Sequence, residues 1–190
     1  MNTTVCELST TILTAPSGLG HLGVAVRGGV VTGIVLGHKS HASARSYLAN
    51  RGGPAADDPS AAELDAAEDL AAAVLDRLLR YAAGEAVDLG DVPIALDHLS
   101  PFQRRVVRAC RAIPRGQRRT YGQLAKSAGS PGAARAVGSV MATNRTPLVV
   151  PCHRVVAAGG RLGGFSAPDG LAMKRRLLAL EDGAQRNAET

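Results

Sequence analysis

The first part of the chain alternates short β-branched and aliphatic runs with turn-forming residues. Residues 5–13 are rich in Thr, residues 22–26 alternate weakly, and residues 30–36 form a third apolar run. Glycines at 28 and 29 separate the second and third runs at the spacing typical of a hairpin. We therefore predict a small antiparallel sheet here. The polar segment 38–59, which contains Gly-Gly-Pro and Asp-Asp-Pro, predicts a loop or partly ordered linker.

A long amphipathic helix is predicted to begin after Ser60. Ser60 and Glu63 match the Ser-x-x-Glu capping box, apolar residues then recur at helical spacing, and Gly84 ends the pattern. The acidic residues of this helix predict a solvated face rather than a pair of catalytic carboxylates. A short strand or extended connection over residues 92–96 leads to a domain boundary, so we expect the first domain to span residues 1–98.

The second half contains several helix starts with strong N-terminal signals. Ser100 and Thr120 each precede a Gln by three residues, and Ser130 is followed by a proline that suits the first helical position. Two short helices joined by a Gly-containing turn match the helix-turn-helix pattern. We expect a second domain over residues 99–183 and a frayed tail over residues 184–190.

The last helix pattern starts near Asp169 and carries leucines on its buried face. Lys174 is predicted to be exposed with the two arginines after it, and Glu181 is predicted to lie at the end of the helix. A carboxylate at a helix C-terminus is disfavoured by the helix dipole, so Glu181 needs another reason for its place. Together the elements predict an α/β (α+β) fold, with a small antiparallel sheet and a helix followed by a helical helix-turn-helix domain.

Composition and cysteine usage exclude several classes of protein. Hydrophobic residues make up 45% of the chain, which is ordinary for a globular protein. The three cysteines are widely spaced without a Cys-x-x-Cys pair, which argues against a disulfide framework and a thiolate zinc site. Neither a secretory signal nor a membrane-spanning run is recognisable, so we expect a soluble, cytoplasmic protein. We also expect no metal, because no ligand spacing links the remaining candidates Cys6, His21, His38, His41 and His98.

Charge is distributed unevenly along the chain. Residues 1–100 carry 6 Lys or Arg against 12 Asp or Glu, a net charge of −6, whereas residues 101–190 carry 16 against 4, a net charge of +12. A basic half of this size indicates a polyanionic partner and favours nucleic acid over a nonspecifically basic surface. Within that half, Arg135 stands alone among small residues, in a helix bare enough to approach another surface closely. A phosphate or base contact suits Arg135 better than tight core packing does.

The candidate chemistry centres on Cys152 and His153, in an apolar stretch over residues 148–156 that predicts buried extended backbone. Pro151 should end or kink that strand beside the thiol. A nucleophilic Cys needs a base and a group that orients the base. Neighbouring strand residues point to opposite faces, so His153 acts directly or through a bridging water, and Glu181 is the candidate orienting group. Residue types alone leave hydrolysis, alkyl transfer and a purely structural Cys-His pair open.

A series of short motifs runs in order from about residue 100 to residue 182. They are Phe102-Gln103, Ile113-Pro114-x-Gly116, Thr120-Tyr121-Gly122-x-Leu124-Ala125, Ala134-Arg135-Ala136-Val137-Gly138, Asn144, Pro151-Cys152-His153-Arg154-Val155, Gly164-Phe165-Ser166, and Lys174 leading to Leu177-Leu178-x-x-Glu181. With these motifs the chain closely resembles the O6-alkylguanine-DNA alkyltransferases, also called methylated-DNA–protein-cysteine methyltransferases. The Pro-Cys-His-Arg-Val core is highly specific, whereas the N-terminal sheet resembles the family's first domain more weakly.

The resemblance implies a fold and a reaction. The first domain would be ribonuclease H-like, and the second would be winged-helix-like and would bind duplex DNA from the minor groove. Cys152 would accept a methyl or other alkyl group from O6-alkylguanine, with O4-alkylthymine as a further candidate substrate. The damaged base would be flipped out, because its alkyl carbon is inaccessible inside the duplex. The thioether is stable, so each molecule would act once, as a monomer, with no cofactor and no obligate protein partner.

The same resemblance assigns roles residue by residue. His153 and Glu181 would assist the Cys152 thiolate, Asn144 would brace the active-site turn, and Tyr121 would donate a proton to the leaving guanine. Arg135 would replace the flipped nucleotide in the base stack. Further DNA contacts are expected from Tyr121, Ala134, Gly138, Arg154 and Ser130. The substrate pocket is expected to include Pro151, Val155, Phe165 and Ser166.

Three departures from the family pattern bear on the substrate. Arg145 replaces the usual proline after Asn144, Phe165 stands where a tyrosine is common, and residues 167–170 form a longer rim than the family's Gly-Gly. They predict an altered pocket rim, and either a looser turn or an added phosphate contact at Arg145. Two functions of other classes are the alternatives: a non-catalytic protein that flags alkylated DNA, and a regulator that uses the helix-turn-helix alone. Cys152 argues against the first, because relatives of that kind lack the reactive cysteine.

Overall fold

The computed structural model describes residues 10–51 and 59–188, with side chains described as far as residue 183. The chain divides into two compact units between Ala95 and Leu96. Strands and helices occur in both, so the predicted mixed α/β class is confirmed.

The first unit is built on a three-stranded antiparallel sheet, as predicted. Its strands are β1 (Thr11–Ser17), β2 (Gly20–Arg27) and β3 (Val30–His38), in the order β1-β2-β3. The β2–β3 turn places Gly28 and Gly29 at φ +56° and +70°, a backbone conformation that suits glycine. Residues 5–9 of the first predicted strand lie outside the described residues.

A helix that the sequence does not predict packs on one face of this sheet. Residues 38–59 are predicted to be a loop, but helix α1 occupies His41–Ala49 and corrects that prediction. Ser40 caps its N-terminus with a capping box, and Ala44 and Leu48, one turn apart, are buried. They join a core cluster on the sheet with Ile12, Ala25 and Val35. Two buried positions are too few to produce a detectable helical period.

Helix α2 (Ala61–Ala82) covers the other face of the sheet. Its N-terminus carries the predicted capping box, in which Ser60 and Glu63 each accept a hydrogen bond from the other's backbone N–H. Side chains alternate between the two faces of a strand. Since α1 packs on one face and α2 contacts β1 and β2, α2 covers the second buried face, which includes Leu13, Val24 and Ile34.

The second unit combines helices with a short parallel strand pair. Its helices are α3 (Pro101–Arg111), α4 (Tyr121–Ser127), α5 (Ala134–Ala142) and α6 (Gly170–Ala188), and its strands are β4 (Arg119–Thr120) and β5 (Val155–Val156). α3 and α4 begin with the predicted capping boxes at Ser100 and Thr120. The β4–β5 pairing sets Thr120 opposite Val156, which brings the start of α4 beside the segment that follows Cys152.

α5 begins later than predicted. Ser130 is predicted to be its N-cap, but the helix starts at Ala134 without a side-chain cap. The Ser130 N–H instead bonds the Ala125 carbonyl and so closes α4. Gly132, at φ +89°, then keeps the backbone out of the helical region. α4 and α5 contact each other as the helix-turn-helix pattern requires.

α6 extends beyond its predicted end. The sequence predicts fraying after Asp182, whereas the helix continues to Ala188. Glu181 therefore lies in the helix interior rather than at a C-terminus, so the helix dipole does not disfavour its charge. Met173, Leu177 and Leu178 bury the inner face of α6. Among the described helices, none is long and apolar enough to cross a membrane.

Candidate active site

Cys152 lies in a tight turn rather than in the extended strand that the sequence predicts for residues 148–156. Cys152–Arg154 form a 3₁₀ turn, and strand pairing resumes only at β5. Pro151, at φ −77° and ψ 64°, is the centre of an inverse γ-turn. That turn is closed by a 2.7 Å hydrogen bond from the Cys152 N–H to the Val150 carbonyl. The kink expected at Pro151 is therefore present, and it leads directly into the 3₁₀ turn.

The turn presents Cys152 to a cavity of about 370 Å³. The other lining residues are Tyr121, Gly138, Met141, Ala142, Gly164, Phe165 and Ser166. Of the residues expected in the substrate pocket, Phe165 and Ser166 line this cavity, whereas Pro151 and Val155 are buried and do not line it. Gly138, Met141 and Ala142 belong to α5, so this helix forms part of the cavity wall.

Asn144 holds the cysteine turn. Its side-chain amide donates to the Val150 carbonyl at 2.9 Å and to the Cys152 Sγ at 3.2 Å. The Asn144 Oδ1 accepts from the Thr146 N–H at 3.1 Å, which fixes the orientation of the amide. One side chain therefore restrains the backbone before the turn and contacts the thiol directly.

The surroundings of Cys152 keep its thiol protonated at neutral pH. Burial is the largest influence and raises the pKa of the thiol above its ordinary value. The Asn144 hydrogen bond, the positive charge of Lys174 and the backbone N–H groups of Cys152 and His153 act in the opposite direction and lower that pKa. A base is needed to form the thiolate, and the groups that stabilise the thiolate are already in place.

His153 and Glu181 form a buried pair behind the cysteine. The His153 Nε2 lies 2.9 Å from the Glu181 Oε1, and both side chains are 0% exposed. Burial is the main cause that lowers the pKa of His153, and the Glu181 charge and hydrogen bond oppose it. A neutral ring that donates Nε2–H to Glu181 carries its lone pair on Nδ1, which suits a proton acceptor. The 3₁₀ turn also removes the strict opposite-face arrangement that a strand would impose on Cys152 and His153.

Arg154 points inward, contrary to its predicted role as a DNA contact. Its Nη2 and Nε donate to the Glu181 carboxylate at 2.8 Å and 3.1 Å, and its Nη1 donates to the Ile113 carbonyl at 2.6 Å. Only 12% of the Arg154 side chain is exposed. The Gly116 N–H adds a further bond to Glu181 at 3.2 Å. These donors compensate the burial of the Glu181 charge and explain its place on an apolar helix.

Lys174 is fully buried, although the sequence predicts it to be exposed. Its Nζ donates to the Val155 carbonyl at 2.6 Å and to the Gly163 carbonyl at 3.5 Å. Burial lowers the pKa of Lys174, and the thiols of Cys152 and Cys110 oppose that shift. The ammonium thus joins the segment after the cysteine to the rim of the cavity. The spacing of Lys174 with Leu177, Leu178 and Glu181, all on one helical face, is the sequence signal for this placement.

Tyr121, the first residue of α4, is half-buried in the cavity wall. Burial raises the pKa of its hydroxyl, and the nearby Cys152 charge adds to the effect. Gly163 packs against the ring, because a Cβ on Gly163 would lie only 2.7 Å from the Tyr121 Cε2. Gly163 is therefore part of the site, although it belongs to none of the sequence motifs that predict the site.

α5 presents a bare surface next to the cavity. Val137, Val140 and Met141 form its buried side, and Arg135 is exposed on the other side. Ala134 and Gly138 are half-buried, and Ser130 is half-buried in the preceding turn. Arg145, directly after Asn144, is also exposed.

The described part of the chain contains no cluster of three or more His, Cys, Asp or Glu residues that could hold a metal ion. Cys6, one of the residues considered for such a site, lies outside the described residues.

Sequence comparisons extend beyond the active-site motifs. A family model described as the DNA-binding domain of 6-O-methylguanine DNA methyltransferase matches residues 101–183. The methylated-DNA–protein-cysteine methyltransferase of Mycobacterium bovis is 36% identical over 168 residues, which cover 88% of this chain and 90% of that protein. The enzyme of the same name from Mycolicibacterium paratuberculosis is 49% identical over 111 residues, which are 58% of this chain and 64% of that protein.

Solved structures show the same relationship over nearly the whole chain. OGT from Mycobacterium tuberculosis, in a crystal structure with DNA, has a TM-score of 0.68 and 33% identity, and the match covers 90% of this chain and 92% of that chain. The O6-methylguanine-DNA methyltransferase of the archaeon Pyrococcus kodakaraensis has a TM-score of 0.60 and 26% identity, with 95% and 97% covered. These similarities agree with the sequence motifs and with the geometry around Cys152, and the chain belongs to the methylated-DNA–protein-cysteine methyltransferase family.

Proposed function

We propose that this protein repairs DNA by transferring an alkyl group from O6-alkylguanine in duplex DNA to its own Cys152. The observation that carries the proposal is the set of contacts on Cys152: a thiol that faces a cavity, held by Asn144 and backed by the His153–Glu181 pair. The M. tuberculosis relative that was crystallised with DNA supports the choice of partner. We expect the protein to act as a monomer.

The transfer begins with removal of the thiol proton. His153 accepts that proton, directly or through a water, and Glu181 stabilises the imidazolium that forms. The thiolate of Cys152 then attacks the alkyl carbon as the bond from that carbon to O6 breaks. The electron pair of the broken bond remains on the guanine.

Protonation of the leaving guanine completes the reaction. The pKa of the Tyr121 hydroxyl is raised by burial, so the hydroxyl is protonated at neutral pH and can donate to the base. The proton held by His153 restores Tyr121, so the net reaction exchanges the thiol proton for the alkyl group. No further group is needed to balance it. The thioether has no route back to a thiol, so each molecule acts once.

Access to the lesion requires that the base leave the duplex, because the alkyl carbon is shielded inside it. α5 adjoins the cavity and carries Arg135 on a surface of small side chains, which suits insertion into the stack at the vacated position. The net charge of +12 over residues 101–190 supports binding to the phosphate backbone.

Intact-protein mass spectrometry tests the proposal. After incubation with a duplex carrying O6-methylguanine, we expect a mass gain of one methyl group, located on Cys152 by peptide mapping. Cys152→Ala should show no gain. Cys110→Ala is the matched control, because Cys110 is a buried thiol of α3, and this variant should still be methylated. Tight binding of the methylated duplex without a mass change would overturn the proposal in favour of a non-catalytic lesion binder.

A further inference from the structure

The charges of the first unit are segregated along the chain. Eleven of the 12 acidic residues among positions 1–100 lie between Asp57 and Asp97, and none lies between Glu7 and Asp57. The interval without acidic residues contains four Lys or Arg and three His. The overall net charge of −6 for positions 1–100 therefore conceals a basic segment.

The fold turns this segregation into two differently charged faces. α2, on one side of the sheet, carries exposed acidic residues, and its arginines are neutralised locally by the ion pairs Arg77–Asp91 and Arg80–Glu85. α1 lies on the opposite side of the sheet, and no acidic residue occurs in it or in β1, β2 and β3. A polyanion would be repelled by the α2 side and attracted by the α1 side.

The α1 side carries an ordered cationic and aromatic surface. Lys39 is exposed just before the helix, and Arg51 is exposed just after it. The Arg51 guanidinium carbon lies 4.6 Å from the centre of the Tyr47 ring. Tyr47 is itself 38% exposed, and the centre of the His38 ring lies 5.2 Å from the centre of the Tyr47 ring. We define the α1 surface as Lys39, Tyr47 and Arg51.

This geometry suits phosphate groups. Stacking on Tyr47 restricts the Arg51 guanidinium, so less side-chain entropy is lost when it binds, and its N–H edge remains able to donate to phosphate oxygens. A nine-residue helix is about 14 Å long, and Lys39 and Arg51 flank the two ends of α1. One strand of duplex DNA presents about four phosphates over that length.

We propose that the α1 surface binds the phosphate backbone of duplex DNA, as a contact separate from Arg135. The proposal rests on the proposed function in taking DNA as the partner, but it concerns affinity rather than alkyl transfer. Because phosphate contacts carry no sequence information, the α1 surface would strengthen binding to damaged and undamaged duplexes alike.

The salt dependence of binding to an undamaged duplex tests the α1 surface. The variant K39Q/R51Q removes two positive charges, and each lost phosphate contact should reduce the slope of log K against log salt by about 0.9. We therefore expect the slope to fall by about 1.8 in fluorescence anisotropy titrations of the full chain. The matched control A66E/A73E changes the net charge by the same amount at exposed positions of α2, and its slope should stay close to that of the unsubstituted chain. Thermal unfolding of both variants checks that they are folded.

Each outcome decides the proposal independently of the repair reaction. An unchanged slope in K39Q/R51Q, or an equal change in the control, would overturn it. The proposal would also be overturned if K39Q/R51Q lost binding only to vesicles of anionic phospholipid and kept the slope of log K against log salt that the unsubstituted chain shows for DNA. Methylation of Cys152 by the damaged duplex is read separately by mass spectrometry. Failure of that reaction would contradict the proposed function and leave the slope measurement valid.

Discussion

Replacing Glu181 with Gln removes a charge from the most densely bonded side chain of the active site and keeps its shape. The carboxylate is fully buried and accepts from His153, Arg154 and the Gly116 N–H. Removing one member of a buried ion pair costs about 3–5 kcal/mol, because the other charge stays buried without compensation. About 1 kcal/mol shifts Tm by 2–4 °C in a chain of this size, so we expect Tm to fall by roughly 6–20 °C.

The neighbouring residue provides a control with the same change in charge. Asp182 pairs with Arg118 at 2.6 Å, but the two side chains are 41% and 45% exposed. Exposed ion pairs contribute about 0–1 kcal/mol, so Asp182→Asn should lower Tm by about 4 °C at most. Differential scanning calorimetry of the two variants therefore separates the effect of burial from the effect of charge.

Glu181→Gln should also slow the chemistry. Glu181 raises the pKa of His153 against the effect of burial, so its loss lowers that pKa further and weakens the base. General-base assistance contributes about 10²–10⁴-fold, and single-turnover transfer from a methylated duplex should fall by an amount in that range. The acidic limb of the pH–rate profile should move to lower pH, a change that simple destabilisation would not produce. A Tm and a rate equal to those of Asp182→Asn would refute the reasoning.

Three further predictions concern the thiol and its surroundings. In Asn144→Ala, the rise of the single-turnover rate with pH should move to higher pH, because the Asn144 hydrogen bond lowers the pKa of Cys152 and its loss raises that pKa. Thr143→Ala is the control, and equal pH profiles in the two variants would contradict this role of Asn144. Gly163→Ala should slow transfer, because its Cβ displaces Tyr121, whereas Gly183→Ala meets nothing within 4 Å; equal rates would exclude the collision. Stability should fall as pH rises above the ordinary thiol pKa of about 8.5, because the raised pKa of Cys110 keeps a proton on the folded state that the unfolded state releases. Denaturant unfolding across that range should show a smaller fall in Cys110→Ala, and identical slopes would contradict the linkage.

Helix starts with Ser or Thr followed three residues later by Glu or Gln are predicted well, because that capping box is complete within four residues; the Ser40–Ser43 box of α1 lacks the Glu or Gln and is missed. Ser60, Ser100 and Thr120 each form the box that their sequences indicate. Ser130 has the same residue type, but Gly132, at φ +89°, keeps the following backbone out of the helical region, so α5 starts at Ala134 and Ser130 does not cap it. A capping residue is effective only where the residues after it take up helical backbone angles.

The orientation of charged side chains was predicted less well. The resemblance implies a DNA contact for Arg154, and the helical pattern predicts an exposed Lys174. Both are turned inward, since the Glu181 carboxylate and the Val155 carbonyl compensate them. These partners lie 27 and 19 positions away in the chain, so their proximity is not visible in any local pattern.

Residue identity alone accounts for much of this protein: the sheet, the capped helices, the basic second half, and Cys152, His153 and Glu181 as candidates for one site. The sheet and the capped helices depend on hydrogen bonds and periodicities within a few residues, the basic half on composition alone, and the three site candidates on residue types and motifs read along the chain. The turn at Cys152, the buried Arg154 and Lys174, helix α1 and the two charged faces of the first unit depend on packing between distant segments. A charge can be buried, and a weak helix can form, only when the folded chain supplies partners that compensate for the lost contact with water.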